Sequence, residues 1–392
     1  MRAAFTILAL WAAGLGAAAQ FGKMSVAYPA LEFVYSGKSA AGYPAHSAVA
    51  IGMILSVVGL VGLIFGTTAG LLVARIGPRR AIVAALLLGA AVSAVQISLP
   101  PYPVMILTRV LEGVSHLAIV VVGPTAIAGL AGQRWQGAAM TLWSSFFGVT
   151  YAILFYVGPT LVLKQGPGTL FGLHAGWMVV LAAILWALLP KDAPEKAETA
   201  AGSLWAAHRA IYASPWLAAP AMGFVCYTVT YVAILTLLPA LMGDAAVFIG
   251  VAMPLVSIAV SLTFGVWLLA RISPVHLVQA GFAVAMVAAA GLWMFWGQGA
   301  AVPFALGVAA SLGIVQGASF AALAELNPAP EDRAKAAGAI AQLGNVGTTS
   351  GTPMLVFAME KAGETGLALF LIGFSALGIV LHAVQARRRI SG

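Results

Sequence analysis

Apolar residues run through this chain in long blocks, and polar residues arrive in short clusters between them. Read between glycine, proline and charged breakers, the blocks predict twelve helices, at roughly 4–31, 47–73, 81–99, 102–131, 137–163, 170–189, 214–242, 246–270, 276–297, 302–326, 337–359 and 366–386. Each is near the ~20 residues that cross a hydrocarbon core of ~30 Å at ~1.5 Å per residue. An unpaired backbone amide in hydrocarbon costs several kcal/mol, and a helix satisfies its amides within one segment. The pattern therefore predicts an all-α membrane protein.

Composition removes the alternative of a soluble globule. With 62% hydrophobic and 8% charged residues and a mean hydropathy of +1.01, there is too little polar surface to cover one. The formal charge of +8 does not call for nucleic acid, because its distribution follows the positive-inside rule. Fourteen of the nineteen Lys and Arg fall on one side: Arg2, Arg75, Arg79, Arg80, Arg134, Lys191, Lys196, Arg209, Arg271, Arg333, Lys335, Arg387, Arg388 and Arg389. Lys38, Lys164 and Lys361 fall on the other side, while Lys23 and Arg109 lie within spans. This bias predicts a multi-pass membrane protein with both termini cytoplasmic. The single cysteine, Cys226, excludes an internal disulfide.

The longest polar connection, PKDAPEKAETAAGSLWAAHRA at 190–210, divides the chain into similar halves. LLVARIGP at 71–78 matches WLLARISP at 267–274, pairing Arg75 with Arg271. VLEGVSH at 110–116 resembles IVQGASF at 314–320, and YPALE at 28–32 resembles LPALM at 238–242. The predicted organisation is a six-helix bundle over 1–190, a cytoplasmic linker over 191–212 and a second bundle over 213–392, related by pseudo-symmetry. The repeat also bears on the N-terminus, where Gly16-Ala17-Ala18-Ala19 fits a leader cleaved near Gln20. Its LPALM counterpart closes a full helix, so the first helix is expected to be retained; cleavage would leave too little to span.

GTTAGLLVARIGPRR at 66–80 resembles the loop between helices two and three of the major facilitator superfamily. Gly70, Arg75, Gly77, Arg79 and Arg80 fit that pattern, with Ala74 in place of the usual aspartate. Glycine permits the tight turn, and the arginines can hold cytoplasmic helix ends by charge-assisted hydrogen bonds. LTRVLEG at 107–113 resembles the superfamily's second motif, and the resemblance extends over essentially the whole chain. It implies alternating access about a cavity lined by helices one, four, seven and ten. A monomer moving a small molecule, with no cofactor, is expected on this reading.

Arg109 and Glu112 stand three apart on one helical face, and His116 lies four beyond Glu112. Lys23 lies at comparable depth in helix one, so Lys23 and Arg109 can flank Glu112. Charges inside a span cost ~3 kcal/mol or more and persist when paired or beside a wet cavity. Glu112 is the expected proton-coupling carboxylate, with His116 as its relay. Lys23, Arg109, Trp143, Tyr151, Tyr227, Tyr231, Gln316 and Asn345 form the expected substrate-binding set, suited to a planar organic solute with several polar groups. Glu325 and Arg271 form an expected cytoplasmic gate pair, together with the motif residues 70–80.

No P-loop, nucleophile triad or metal cluster can be assembled from spacing, which argues against an enzyme. Of the glycine-rich motif usual in drug/proton antiporters, only Gly158-Pro159 is present, and this favours uptake. FGKMSVAYPAL, FVCYTVTYVAILTLLP and ARISPVHLVQAGF are similar to a bacterial branch that includes copper and riboflavin importers. Copper would need soft ligands at helical spacing, for which this chain offers Met222 with Cys226, and His174 with Met178 at the outer start of helix six. The expected function is proton-coupled symport of a small organic solute such as riboflavin. Copper import, drug or metabolite efflux, and a non-transporting membrane sensor are the alternatives.

Overall fold

Proline and glycine set where the helices of this chain start. The computed structural model describes residues 2–39, 41–66, 69, 73, 76–192 and 204–391. Pro78, Pro167 and Pro274 each occupy the first turn of a helix, where the missing N–H is no loss. Gly77 and Gly166 precede two of them at φ of 94° and 82°, a backbone region that side chains avoid.

Two compact units emerge, Met1–Glu198 and Thr199–Gly392. The first contains α1 (Arg2–Tyr35), α2 (Ala48–Ser56), α3 (Gly59–Phe65), α4 (Pro78–Gln96), α5 (Tyr102–Ser144), α6 (Phe146–Gln165) and α7 (Pro167–Leu188). Here α1 packs on α5, α6 and α7, and α4 packs on α5 and α7. A core around Leu10, Ile82, Leu86, Ile119, Met178 and Leu185 fills one end. Another around Met24, Leu31, Tyr35, Ile54, Met105 and Phe171 fills the other, where Tyr35 donates to Pro100 O at 2.6 Å. Close approach depends on small residues: a Cβ on Gly89 would collide with Met178, Ser115 and Gln20.

The second unit contains α8 (Leu204–Ala213), α9 (Ala218–Leu241), α10 (Ala246–Val260), α11 (Val266–Leu269), α12 (Pro274–Met294), α13 (Ala301–Leu326) and α14 (Pro330–Ser391). Nearly all of α9 is buried, mainly against α14. Gly347 and Gly351 let α14 approach Thr228 and Val229. A π-turn at Ser261–Gly265 joins α10 to α11 within one span.

Among the described residues, ten helices are long and apolar enough to cross a membrane, and the bent pair α2 and α3 makes an eleventh span. The twelfth comes from α14, which breaks where Ala362 (φ −143°) and Gly363 (φ 55°) leave helical geometry. Among the described residues the fold is thus all-α with twelve spans, six in each unit.

Several boundaries differ from the sequence reading. The expected helix 47–73 bends by 60° around Val57 and Val58. Helix four continues past 131 to Ser144, and helix five starts at Phe146 rather than 137. The interruption falls at Ser145, whose hydroxyl donates to Leu142 O at 2.7 Å and accepts from the Trp11 indole at 3.3 Å. Such local side-chain bonds compete with the helical ladder. The expected polar linker 191–212 holds most of the helix α8, whose Tyr212 donates to Gln342 at 2.8 Å.

Candidate functional site

Four helices of the first unit converge on one carboxylate. From α1, Lys23 Nζ donates to Glu112 Oε1 and to Ser93 Oγ at 2.5 Å, and lies 3.2 Å from His174 Nδ1. From α5, Arg109 Nη1 donates to Glu112 Oε2. From α4, Gln96 Nε2 donates to Glu112 Oε2 and to Thr108 Oγ1, both at 3.0 Å, and Ser93 Oγ lies 3.3 Å from Glu112 Oε1. From α7, His174 Nδ1 stands 2.7 Å from Ser93 Oγ, while its Nε2 lies 2.9 Å from Gly16 O. Lys23, Arg109, Glu112, Ser93 and Gln96 are completely inaccessible.

The break between α2 and α3 is part of this site. A helix end leaves carbonyls without intrahelical partners. Arg109 reaches two of them, donating from Nε to Ile54 O at 2.7 Å and from Nη2 to Leu55 O at 3.4 Å. One guanidinium thus ties the bent span to Glu112.

The charges do not balance. Lys23 and Arg109 are cations around a single carboxylate, with His174 the remaining titratable neighbour of Lys23. Burying a charge is tolerable when it is paired and hydrogen-bonded. Here the pairing leaves one excess positive charge if His174 is neutral.

Lys23 and His174 also line a cavity of about 330 Å³ between α1, α6 and α7, walled by Leu15, Ile153, Leu154, Val157, Leu170 and Trp177. Glu112 and Arg109 do not line it.

His116, expected beside Glu112, is elsewhere. Its Nδ1 lies 3.1 Å from Ala17 O, and its ring meets Phe21 edge-on at 5.1 Å. The i, i+4 spacing put the two residues on one side of α5 without bringing their side chains into contact. The Gln20 amide donates to Ser115 Oγ at 2.8 Å, while Gln20 Oε1 and Gln96 Oε1 are buried with no hydrogen-bond partner among the described residues.

The expected binding aromatics are all buried. Tyr151 stacks on Phe147 at 5.0 Å, and its hydroxyl lies 3.4 Å from Ser25 Oγ. Trp143 packs into the core against Gly14, Gly123 and Phe146. In the second unit Tyr227 and Tyr231 stack at 5.2 Å. Gln316 is half-buried, and Asn345 donates back to Ala341 O at 2.8 Å. Of the copper pair, the Met222 sulfur accepts from Gln385 at 3.3 Å and Cys226 is fully buried. Among the described residues no group of three His, Cys, Asp or Glu could hold a metal ion.

Gly70 and Arg75 of the loop motif lie outside the described residues. The rest of the loop has an anionic partner that local sequence did not announce. Asp192 accepts from the backbone N–H groups of Arg79 at 2.8 Å and Arg80 at 3.0 Å, and so caps α4. Arg79 lies over the Trp186 ring at 4.0 Å and donates to its carbonyl. Arg271 is placed similarly in the second unit, over Trp267 at 4.0 Å and donating to its carbonyl at 2.9 Å. Among the described residues Arg271 makes no ion pair with Glu325, which is exposed.

Ser93, Gln96, His174 and Asp192 are the residues that sequence reasoning left out of these roles. Ser93 and Gln96 carried a weak signal, two polar positions three apart in an apolar span. Asp192 carried none, because the helix it caps begins more than a hundred residues earlier.

A family model described as the Major Facilitator Superfamily matches residues 6–352. The chain belongs to the major facilitator superfamily. Proteins of this superfamily are transporters and not enzymes. A curated relative, the inner membrane transport protein YajR of Escherichia coli, is 26% identical over 201 residues, 50% of this chain and 42% of the relative. The match therefore spans less than half of that relative's length. Two solved structures of a bacterial homologue of the human lysosomal transporter Spinster, inward-facing and either unoccupied or occupied, superpose with TM-scores of 0.76 and 0.77. Each match has 12% identity and covers 98% of this chain and 97% of the other. At that identity they speak for the superfamily fold alone.

Proposed function

We propose that this superfamily member is a proton-coupled secondary transporter that takes up a small organic solute, with riboflavin the first candidate, across a bacterial inner membrane. It acts as a monomer by alternating access, with both termini cytoplasmic. The observation that carries the reading is the buried cluster of Lys23, Arg109 and Glu112. Ionisable groups at membrane depth are retained where they move charge or bind cargo. Buried charges that change their protonation state with conformation are what proton coupling requires. The stacked pairs Phe147–Tyr151 and Tyr227–Tyr231 supply flat apolar faces that suit a planar ring system.

Copper import is the less supported reading. Met222 already bonds Gln385, and among the described residues no three His, Cys, Asp or Glu side chains come together to hold a metal ion.

The test is uptake of labelled riboflavin and of copper by cells lacking their own importers, with and without a protonophore. Riboflavin accumulation that the protonophore abolishes is the expected result. Copper accumulation alone would replace the substrate; net extrusion would reverse the direction. Movement of neither, in a protein confirmed to be in the membrane, would favour the sensor alternative.

A further inference from the structure

We propose that the proton exchanged during transport is carried by Lys23 and relayed through Ser93 to His174, with Glu112 a fixed anion. This rests on the proton-coupled reading above and names the atoms that perform it.

Hydrogen-bond bookkeeping around Glu112 argues against that carboxylate as carrier. Its Oε1 faces Lys23 Nζ and the Ser93 hydroxyl; its Oε2 faces Arg109 Nη1 and Gln96 Nε2. Three of those four are nitrogen donors. A protonated Glu112 would aim its O–H at Arg109 or Gln96, which cannot accept, at the more distant Ser93 oxygen, or at Lys23, which accepts only once it has itself lost its proton.

Lys23 has the opposite surroundings. As an ammonium it donates to Ser93 Oγ and Glu112 Oε1, and its third N–H reaches His174 Nδ1 whenever the Ser93 O–H turns from that nitrogen to Glu112 Oε1. Gly16 O can only accept, so His174 Nε2 carries a hydrogen and, in the neutral ring, Nδ1 offers a lone pair. As a neutral amine, Lys23 keeps two N–H groups for Glu112 and His174, and its lone pair accepts the Ser93 O–H once that hydroxyl turns round. Both protonation states are satisfied without moving a heavy atom.

The transfer balances. Lys23 Nζ gives a proton to Ser93 Oγ as the Ser93 hydroxyl proton passes to His174 Nδ1 over 2.7 Å. Lys23 becomes an amine and His174 an imidazolium, with charge conserved; the imidazolium then releases one proton to water when transport opens the network. Deprotonated Lys23 leaves Arg109 and Glu112 as a neutral pair, which removes the excess charge of the buried site.

Every neighbouring element agrees with this division. Arg109 and Glu112 of α5 and His174 of α7 are the titratable groups bonded within the network, His116 of α5 and Tyr151 of α6 stand close enough to act on it electrostatically, and α4 contributes only Ser93 and Gln96. His116 is bonded to Ala17 O, and Tyr151 of α6 neighbours Ser25. Lys23 and His174 border the cavity between α1, α6 and α7, and Glu112 does not.

The probe for the test is the proton itself. Full-length protein in liposomes is titrated from about pH 5 to about pH 9, reading the carboxylic-acid carbonyl band by infrared difference and the lysine ζ-nitrogen by ¹⁵N NMR. Glu112→Gln and Lys23→Gln assign the signals, and Lys23→Met, which keeps the Arg109–Glu112 pair, serves if Lys23→Gln does not fold. The expected result is an ammonium-to-amine change that disappears in the Lys23 variant, with no protonated carboxyl signal from Glu112. A carboxyl band lost in Glu112→Gln would overturn this assignment while leaving proton coupling intact. Absence of any change at either residue would overturn both. In a pH jump, Ser93→Ala should slow the Lys23 change about tenfold or more, the effect of losing one charge-assisted hydrogen bond, and Ser93→Thr should restore it. An unchanged rate in Ser93→Ala would remove the relay.

Discussion

The carboxylate of Asp192 occupies the space that a side chain on Gly77 would need. From there it accepts the backbone N–H groups of Arg79 and Arg80, the first free donors of α4. The loop motif lacks its own aspartate, since Ala74 stands in that place, and the start of the linker provides a carboxylate to the neighbouring helix end instead.

Loss of this cap has a defined size. Asp192→Ala should lower stability by about 1 kcal/mol, the usual value of an N-cap, read as a lower melting temperature by tryptophan fluorescence in detergent. Gly77→Ala should lower it further, because it combines a φ of 94° with a collision. Equal melting of wild type and Asp192→Ala would show that the cap is not needed.

The excess charge predicts an asymmetry between neighbouring substitutions. Glu112→Gln leaves Lys23 and Arg109 buried without a counter-ion, a loss of about 3–5 kcal/mol for a broken buried pair. Lys23→Met leaves a neutral Arg109–Glu112 pair and should cost much less. Thermal inactivation of the two purified variants, side by side, reads the difference; equal loss would mean that the charges do not act as a set.

Aromatic stacking should control affinity more than rate. Tyr227→Ala and Tyr231→Ala are each expected to raise the KM for riboflavin by about three- to tenfold, as the loss of one stacked pair implies. Unchanged KM values in initial-rate uptake would remove these rings from the binding site.

Topology can be read with the chain's own chemistry. Cys226 is the only cysteine and is fully buried, so the wild type should resist a membrane-impermeant maleimide. Lys38→Cys should label from outside intact cells, and Arg209→Cys only after the cells are opened. The reverse pattern would invert the proposed orientation.

The spans were legible because an apolar run near twenty residues has few other solutions in a chain this poor in charge. Their exact breaks were not: Ser145 interrupts one helix through bonds to Leu142 and Trp11, and a contact to a residue so distant in sequence leaves no local mark. Lys23, Arg109 and Glu112 stood out as charges in oil. The choice between His116 and His174 was hidden, because it depends on which ring turns towards Lys23 and which towards Ala17 O. Gln96 and Ser93 are ordinary residues until α4 packs beside α5.

Lys23 precedes its counter-ion by 89 residues. At roughly 5–20 residues per second, synthesis brings Lys23 to the bilayer about 4 to 18 s before Glu112 exists. The first helix therefore has no resting place of its own at full depth. Assembly of the N-terminal unit has to wait for the fourth span, and a nascent chain halted before residue 112 holds Lys23 without the carboxylate that pairs with it in the finished bundle.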